Sequence, residues 1–273
     1  MAMYQPFYGL TRNPFDKNQC TEKDCFESRD IRQAVPRLGY LKDTLGLGLF
    51  TARPGLGKNY ALRCFLDTVN PNLFRIECIS LSTVSVADFY KEVCQCLGLS
   101  DKGGKIAMFK AIQDHVWYMY NDKKQPLFLA IDEAQYLSTS VLTDIKILMN
   151  QKFDSVNCFA LALFGEPYLR DTLNRPVHEA LNQRVVVRYN FKGLSEQEVG
   201  DYIRHKLARA NGAESIISPA AISAIASNAH GSPRLVDNFM RDALTIGAQQ
   251  QKQVIDEEIA MAAISNKDPF HDD

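Results

Sequence analysis

The sequence predicts an α/β protein: a parallel sheet covered by helices on both faces, followed by a smaller all-helical part. Three observations lead there. Short apolar runs without polar alternation, such as the CFALALF of Cys158–Phe164, read as strands buried on both faces. Amphipathic stretches separate these runs, the pattern of a sheet built from strand–helix units. After Gly193 the strand-like runs stop and only helical periodicity continues. A chain of 273 residues suits one large domain or two modest ones.

The elements follow in order. Residues 1–28 are irregular and rich in turn formers (Gly9, Asn13, Pro14, Asp16). Residues 30–46 place Ile31, Val35, Leu38 and Leu41 or Leu45 on one helical face, and Pro36 is expected to bend that helix or delay its start. Leu47–Ala52 reads as a strand, Asn59–Val69 as a helix, Leu73–Ile79 as a strand and Val86–Leu97 as a helix. In 106–120 the residues Phe109, Ile112, Val116 and Tyr120 share a helical face. Its aromatics, with Trp117 and Tyr118, read as packing rather than base stacking. Leu127–Ile131 is a strand, 139–150 a helix, and Cys158–Phe164 and Val185–Phe191 are the last strands.

Ser195 and Glu198 then form a capping box ahead of Val199, Ile203 and Leu207. Further helices are expected over Pro219–Asn228, Pro233–Ala248 and 255–265. The expected boundary separates 1–192 from 193–273, with a hinge near Lys192–Leu194.

Composition narrows the function classes. Hydrophobic residues make up 46% and charged residues 23%, with a net charge of −1, which excludes wholesale disorder and a protein that coats nucleic acid by bulk charge. A local basic patch is still compatible. Seven cysteines, with no CxxC pair and mostly in apolar runs, read as reduced thiols of a cytosolic protein. The histidines stand apart from them, so no zinc site is expected. The amino terminus lacks a signal-peptide pattern, and no apolar run approaches the ~20 residues of a membrane span. A soluble, cytoplasmic protein is expected.

The strongest local signal is Ala52-Arg53-Pro54-Gly55-Leu56-Gly57-Lys58-Asn59, between an apolar strand and a helix. Gly55 and Gly57 let successive backbone N–H groups converge, and the helix N-terminus adds positive potential. Lys58 would reach the β- and γ-phosphates of a nucleotide. Pro54, Gly55, Leu56, Gly57, Lys58, Asn59 and Tyr60 therefore form the candidate phosphate-binding segment. It departs from the P-loop pattern twice: Ala52 replaces the first glycine, and Asn59 stands where Ser or Thr supplies a hydroxyl to Mg²⁺.

About 75 residues further on, Leu127-Phe128-Leu129-Ala130-Ile131 ends in Asp132-Glu133. Asp132, with the Asn59 carbonyl, is the candidate Mg²⁺ ligand. Glu133 is the candidate base for an attacking water. Together the two segments define an ATP and Mg²⁺ site. Arg184, just before a strand, reads either as a finger on a neighbouring subunit's γ-phosphate or as a surface arginine in a local ion pair. In Gly231-Ser232-Pro233-Arg234 the serine caps a helix, the proline opens it, and Arg234 lies on its first turn, a place suited to a cation over phosphate.

Taken in order, Phe7-Tyr8-Gly9-Leu10 with Asn13-Pro14-Phe15, the P-loop, Asp132-Glu133-Ala134-Gln135, Gly165-Glu166-Pro167, Leu181-Asn182-Gln183-Arg184 and Gly231-Ser232-Pro233-Arg234 resemble the AAA+ ATPases of the ExeA/TnsC type over nearly the whole chain. The resemblance implies an αβα P-loop base with a helical lid and ATP held between them in an oligomer. It also implies Arg184 as the finger, Arg234 as the second sensor, and Asn13 and Phe15 near the adenine. The family usually has Gln where Glu166 stands. That departure and Asn59 fall at positions serving hydrolysis, so firm binding with slow turnover is expected.

Two branches share this core. The chain ends at Asp273 without the membrane helix of the ExeA-like secretion proteins. The expectation therefore favours the soluble transposition helpers, which resemble TnsC, MuB and IstB, assemble with ATP on double-stranded DNA and engage a transposase. Lys102 and Lys105, beside Gly103-Gly104, read either as phosphate contacts or as a solvated lysine loop. The alternative is a secretion-assembly ATPase or a nucleotide-gated adaptor without DNA.

Overall fold

The structure, a computed structural model, describes residues 4–16, 25–80, 85–150 and 156–266. Cys20 and the acidic tail from Asp268 lie outside them. In chain order the elements are α1 (Tyr4–Phe7), α2 (Arg29–Thr44), β1 (Leu47–Thr51), α3 (Lys58–Leu66), β2 (Arg75–Ser80), α4 (Val86–Leu97) and α5 (Lys105–Asn121). Next come β3 (Leu127–Asp132), α6 (Thr139–Leu148), β4 (Phe159–Gly165), α7 (Pro167–Leu173), α8 (Glu179–Asn182) and β5 (Val185–Asn190). Four helices finish the chain: α9 (Glu196–Arg209), α10 (Pro219–Ala229), α11 (Pro233–Gln249) and α12 (Glu257–Ser265).

The chain divides into two compact units. One takes in Gln33–Pro54 and Lys58–Phe191, and the other Met1–Arg32, Gly55–Gly57 and Lys192–Asp273. The first is the sheet unit. Its five strands are parallel, in the order β2-β3-β4-β1-β5, so the expected α/β architecture is present. Every residue of β1 and β4 is buried. Successive strand side chains point to opposite faces, so both faces are covered. The edge strands differ: β2 buries only Ile79 and β5 only Val187. Apolar continuity therefore tracks position in the sheet.

Register sets the level at which the strands end. Thr51 pairs with Gly165, and Ile131 with Leu163. The carboxyl ends of β1, β4 and β3 thus form one edge, where open parallel sheets bind ligands. α2 runs from Arg29 to Thr44 with Pro36 inside it, so the expected late start does not occur. The α5 aromatics Phe109, Trp117 and Tyr120 pack against the core, while Tyr118 is exposed. Cys94 and Cys158 are buried thiols outside any disulfide, and burial beside Glu77 pushes the Cys96 thiol up to about 12.

The helical unit holds the second core, in which Tyr4, Tyr8, Leu10 and Phe15 pack with Val199, Ile203, Phe239 and Ile259. The Tyr8 hydroxyl donates to the Lys252 carbonyl at 2.9 Å, and the Thr11 N–H to Ala210 at 3.0 Å. The N-terminal segment, read with the first domain from sequence, thus packs among the C-terminal helices. The expected capping box of α9 is present, with Ser195 and Glu198 satisfying each other's N–H groups.

Asp30, 3% exposed, accepts from the N–H groups of Lys192 at 2.9 Å and Gly193 at 2.7 Å. The segment predicted as a hinge is therefore pinned by one carboxylate. Asp30→Ala would orphan two backbone donors, and is expected to destabilise the helical unit by about 2–3 kcal/mol, read as a lowered midpoint in urea unfolding. Among the described residues, no helix is long and apolar enough to cross a membrane.

Candidate functional site

β1 delivers the chain to the glycine-rich turn. Gly55 and Gly57 adopt φ of +80° and +98°, a region open to glycine at little cost. Their conformation folds the turn back on itself ahead of α3, whose first N–H groups lack intrahelical partners. Lys58, 8% exposed, donates from Nζ to the Ala52 carbonyl at 3.1 Å, so the turn is closed by its own lysine. Asn59 follows on the exposed side, and the Tyr60 ring lies 6.0 Å from the Arg63 guanidinium.

The acidic pair comes to the same place in the sheet unit. Asn59 Nδ2 donates to Asp132 Oδ2 at 2.7 Å, joining residues 73 apart in sequence. The two candidate metal ligands are therefore neighbours. Their oxygens are the hard donors Mg²⁺ takes, so the donor set fits that ion. In the present orientation, however, the Asn59 nitrogen faces the acid and its carbonyl points elsewhere.

Glu133 has φ of +54°, a left-handed conformation costing a non-glycine residue about 1–3 kcal/mol and typical of functional sites. Its N–H donates to Asp132 Oδ1 at 2.9 Å. Its carboxylate accepts from Gln135 Nε2 at 2.6 Å, and Gln135 Oε1 accepts from the Glu166 N–H at 3.1 Å. Gly165 makes room for this bridge: a Cβ there would lie 2.9 Å from Gln135 Oε1 and 2.8 Å from Leu169 Cδ2. Gln135 stands in the Asp132-Glu133-Ala134-Gln135 motif but was not among the residues expected at the site. The signal was available in Asp-Glu-Ala-Gln, where a long amide two residues after the acid reaches back to it.

Arg184 Nη2 hydrogen-bonds Asn150 Oδ1 within the sheet unit. Lys102 is exposed on the loop before α5. Lys105 is engaged: its ammonium is 2.7 Å from Asp144 Oδ2, on a carboxylate 7% exposed. That pairing neutralises half of the lysine pair read as a DNA contact.

In the helical unit, the Ser232 hydroxyl caps α11 and donates to the Gly55 carbonyl at 3.2 Å. A Cβ on Gly55 would lie 2.6 Å from Ser232 Oγ and 3.3 Å from Arg234 Cβ. Arg234 thus stands next to the tip of the glycine turn, with its side chain exposed. Asn13 and Phe15 are 6% and 1% exposed, and Asn13 Oδ1 accepts from the Phe15 N–H at 3.0 Å. Phe15 packs in the helical core, and Asn13 is buried beside it.

A glycine turn closing on a lysine, next to an Asp-Glu pair at the carboxyl edge of a parallel sheet, defines the P-loop class. Residues 42–173, the segment that carries the glycine turn and the acidic pair, match the family model described as AAA domain. Over 266 residues, 96% of the chain, it is 30% identical to general secretion pathway protein A of Aeromonas hydrophila and spans about half (48%) of that relative's length. In fold it is similar to Cdc6p from Pyrobaculum aerophilum, with a TM-score of 0.72 and 17% identity over 95% of this chain and 72% of that one. It is also similar to the Drosophila ORC bound to DNA, with a TM-score of 0.70 and 14% identity over 96% and 65%.

Proposed function

We propose that this chain is an ATP-binding, slowly hydrolysing AAA+ switch of the cytoplasm, which assembles with its own copies on double-stranded DNA and recruits or activates a transposase. The observation carrying the nucleotide half is the 2.7 Å pairing of Asn59 with Asp132, which brings the phosphate-binding turn and the acidic strand end together. Backbone N–H groups from Gly55 to Lys58 would cradle the triphosphate. Lys58 would leave the Ala52 carbonyl for the β- and γ-phosphates. Asp132 and Asn59 would hold Mg²⁺, which supplies positive charge against the phosphate oxygens.

In hydrolysis Glu133 takes the proton of the water whose oxygen bonds to the γ-phosphorus. The bond from that phosphorus to the β–γ bridging oxygen breaks, and ADP and phosphate leave. Arg184 from a neighbouring copy and Arg234 are assigned to the developing charge.

Slow turnover is attributed to Asn59, which ties up Asp132 and lacks the hydroxyl. Asn59→Thr is expected to raise turnover about tenfold, on the scale of one charge-assisted hydrogen bond of ~1.5 kcal/mol. It should also lower the Mg²⁺ concentration giving half-maximal rate. A phosphate-release titration with Mg²⁺ checks both.

The DNA reading is supported by the motif resemblance and by the fold shared with a DNA-bound origin-recognition complex. Lys102 is its phosphate contact; Lys105 contributes less while Asp144 holds it. A second reading, assembly with protein partners in secretion, is favoured by the 30% identity to general secretion pathway protein A. Electron microscopy with a non-hydrolysable ATP analogue separates them. Filaments that need both analogue and duplex DNA support the first reading. Analogue-dependent assembly indifferent to DNA supports the second, and no nucleotide-dependent assembly overturns both.

A further inference from the structure

We infer that Gln135 is a positioning residue for hydrolysis, registering the Glu133 carboxylate to the backbone at the end of β4; the inference rests on Glu133 being the base. The Gln135 amide spans two partners of fixed polarity. A backbone N–H only donates and an ionised carboxylate only accepts, so the amide has one consistent orientation, with Oε1 toward Glu166 and Nε2 toward Glu133. The distances are 3.1 and 2.6 Å.

Three further features hold the bridge. Gly165 leaves room where a Cβ would approach Oε1 to 2.9 Å. Tyr136 and Leu137 donate back to Glu133 and Ala134 at 3.0 and 3.2 Å, which fixes the short turn carrying the amide. Ala134 is fully buried, anchoring that turn under the sheet edge. Glu133, in its left-handed conformation, has only this side-chain amide among the described hydrogen bonds to its carboxylate. Gln135 therefore sets where the base points, and any shift of the segment after β4 reaches Glu133 through one side chain. An error of about 1 Å in a reacting group can cost about a hundredfold in rate.

The test compares wild type, Gln135→Ala and Gln135→Glu in single-turnover hydrolysis, with fluorescent-nucleotide binding measured on the same preparations. Gln135→Ala is expected to slow turnover about 10–100-fold while ATP affinity stays within about twofold. Gln135→Glu keeps the shape, but at neutral pH its carboxylate cannot donate and repels Glu133. As pH is lowered from about 8 to about 6, a proton shared by the two carboxyls restores the donor, so the ratio of this variant's rate to wild type should rise. Wild-type rates in both variants, or equal losses with an unmoved pH profile, would overturn the inference while the base assignment stands. A wild type that binds ATP but releases no phosphate overturns the base assignment, and this inference with it.

Discussion

Glu133→Gln is expected to lower ATP turnover by about 10²–10⁴-fold, the usual contribution of a positioned proton acceptor, while leaving nucleotide affinity near wild type. Glutamine keeps the size of the side chain. Its carbonyl oxygen still accepts from Gln135 Nε2, the contact that stands at 2.6 Å in the native chain. Glutamine costs no more than glutamate at φ of +54°, so the turn is preserved and only the base is lost. Since ATP remains bound, assemblies that form with ATP should persist for as long as those formed with a non-hydrolysable analogue. Phosphate release measured beside light scattering reads both. Turnover at the wild-type rate would remove Glu133 from the chemistry.

Lys58→Ala is expected to weaken ATP binding by about 10–100-fold, the loss of one or two charge-assisted hydrogen bonds of ~1.5–3 kcal/mol. The change acts on the empty protein as well. The Lys58 ammonium is buried against the Ala52 carbonyl at 3.1 Å, so alanine leaves that acceptor unpaired where β1 enters the turn. A modest fall in thermal stability should accompany the affinity loss. Lys58→Arg separates the two effects: it retains the charge but not the compact head, and is expected to recover stability more than affinity. Isothermal titration with ATP and Mg²⁺, alongside a thermal melt, gives both numbers. Unchanged affinity in Lys58→Ala would take the glycine turn out of phosphate recognition.

Much of this protein was legible before folding because its signals are local. Strands buried on both faces are built from nearly continuous apolar runs, so β1, β3 and β4 stood out as LGLFTA, LFLAI and CFALALF. Helix starts were readable because caps are short-range: Ser195 with Glu198, and Ser232 ahead of Pro233, satisfy N–H groups within three residues. The glycine turn and the acidic pair were readable because each chemistry needs a few residue types at fixed spacing. The short helices α7 and α8, of seven and four residues, gave too little periodicity to be seen.

The sequence by itself determined the α/β class, nearly every strand and long helix, and the residue types of the candidate nucleotide site. Only the tertiary structure decided which of those groups meet. It joined Asn59 to Asp132, ran Gln135 between Glu133 and Glu166, tied Lys105 to Asp144, and pinned Lys192 and Gly193 on Asp30. It also buried Asn13 and placed Phe15 in the helical core. The physical reason is range. Propensity, capping and turn geometry act over a few residues. Hydrogen bonds between groups 31 to 163 residues apart depend on strand order and register, which only the packed chain sets.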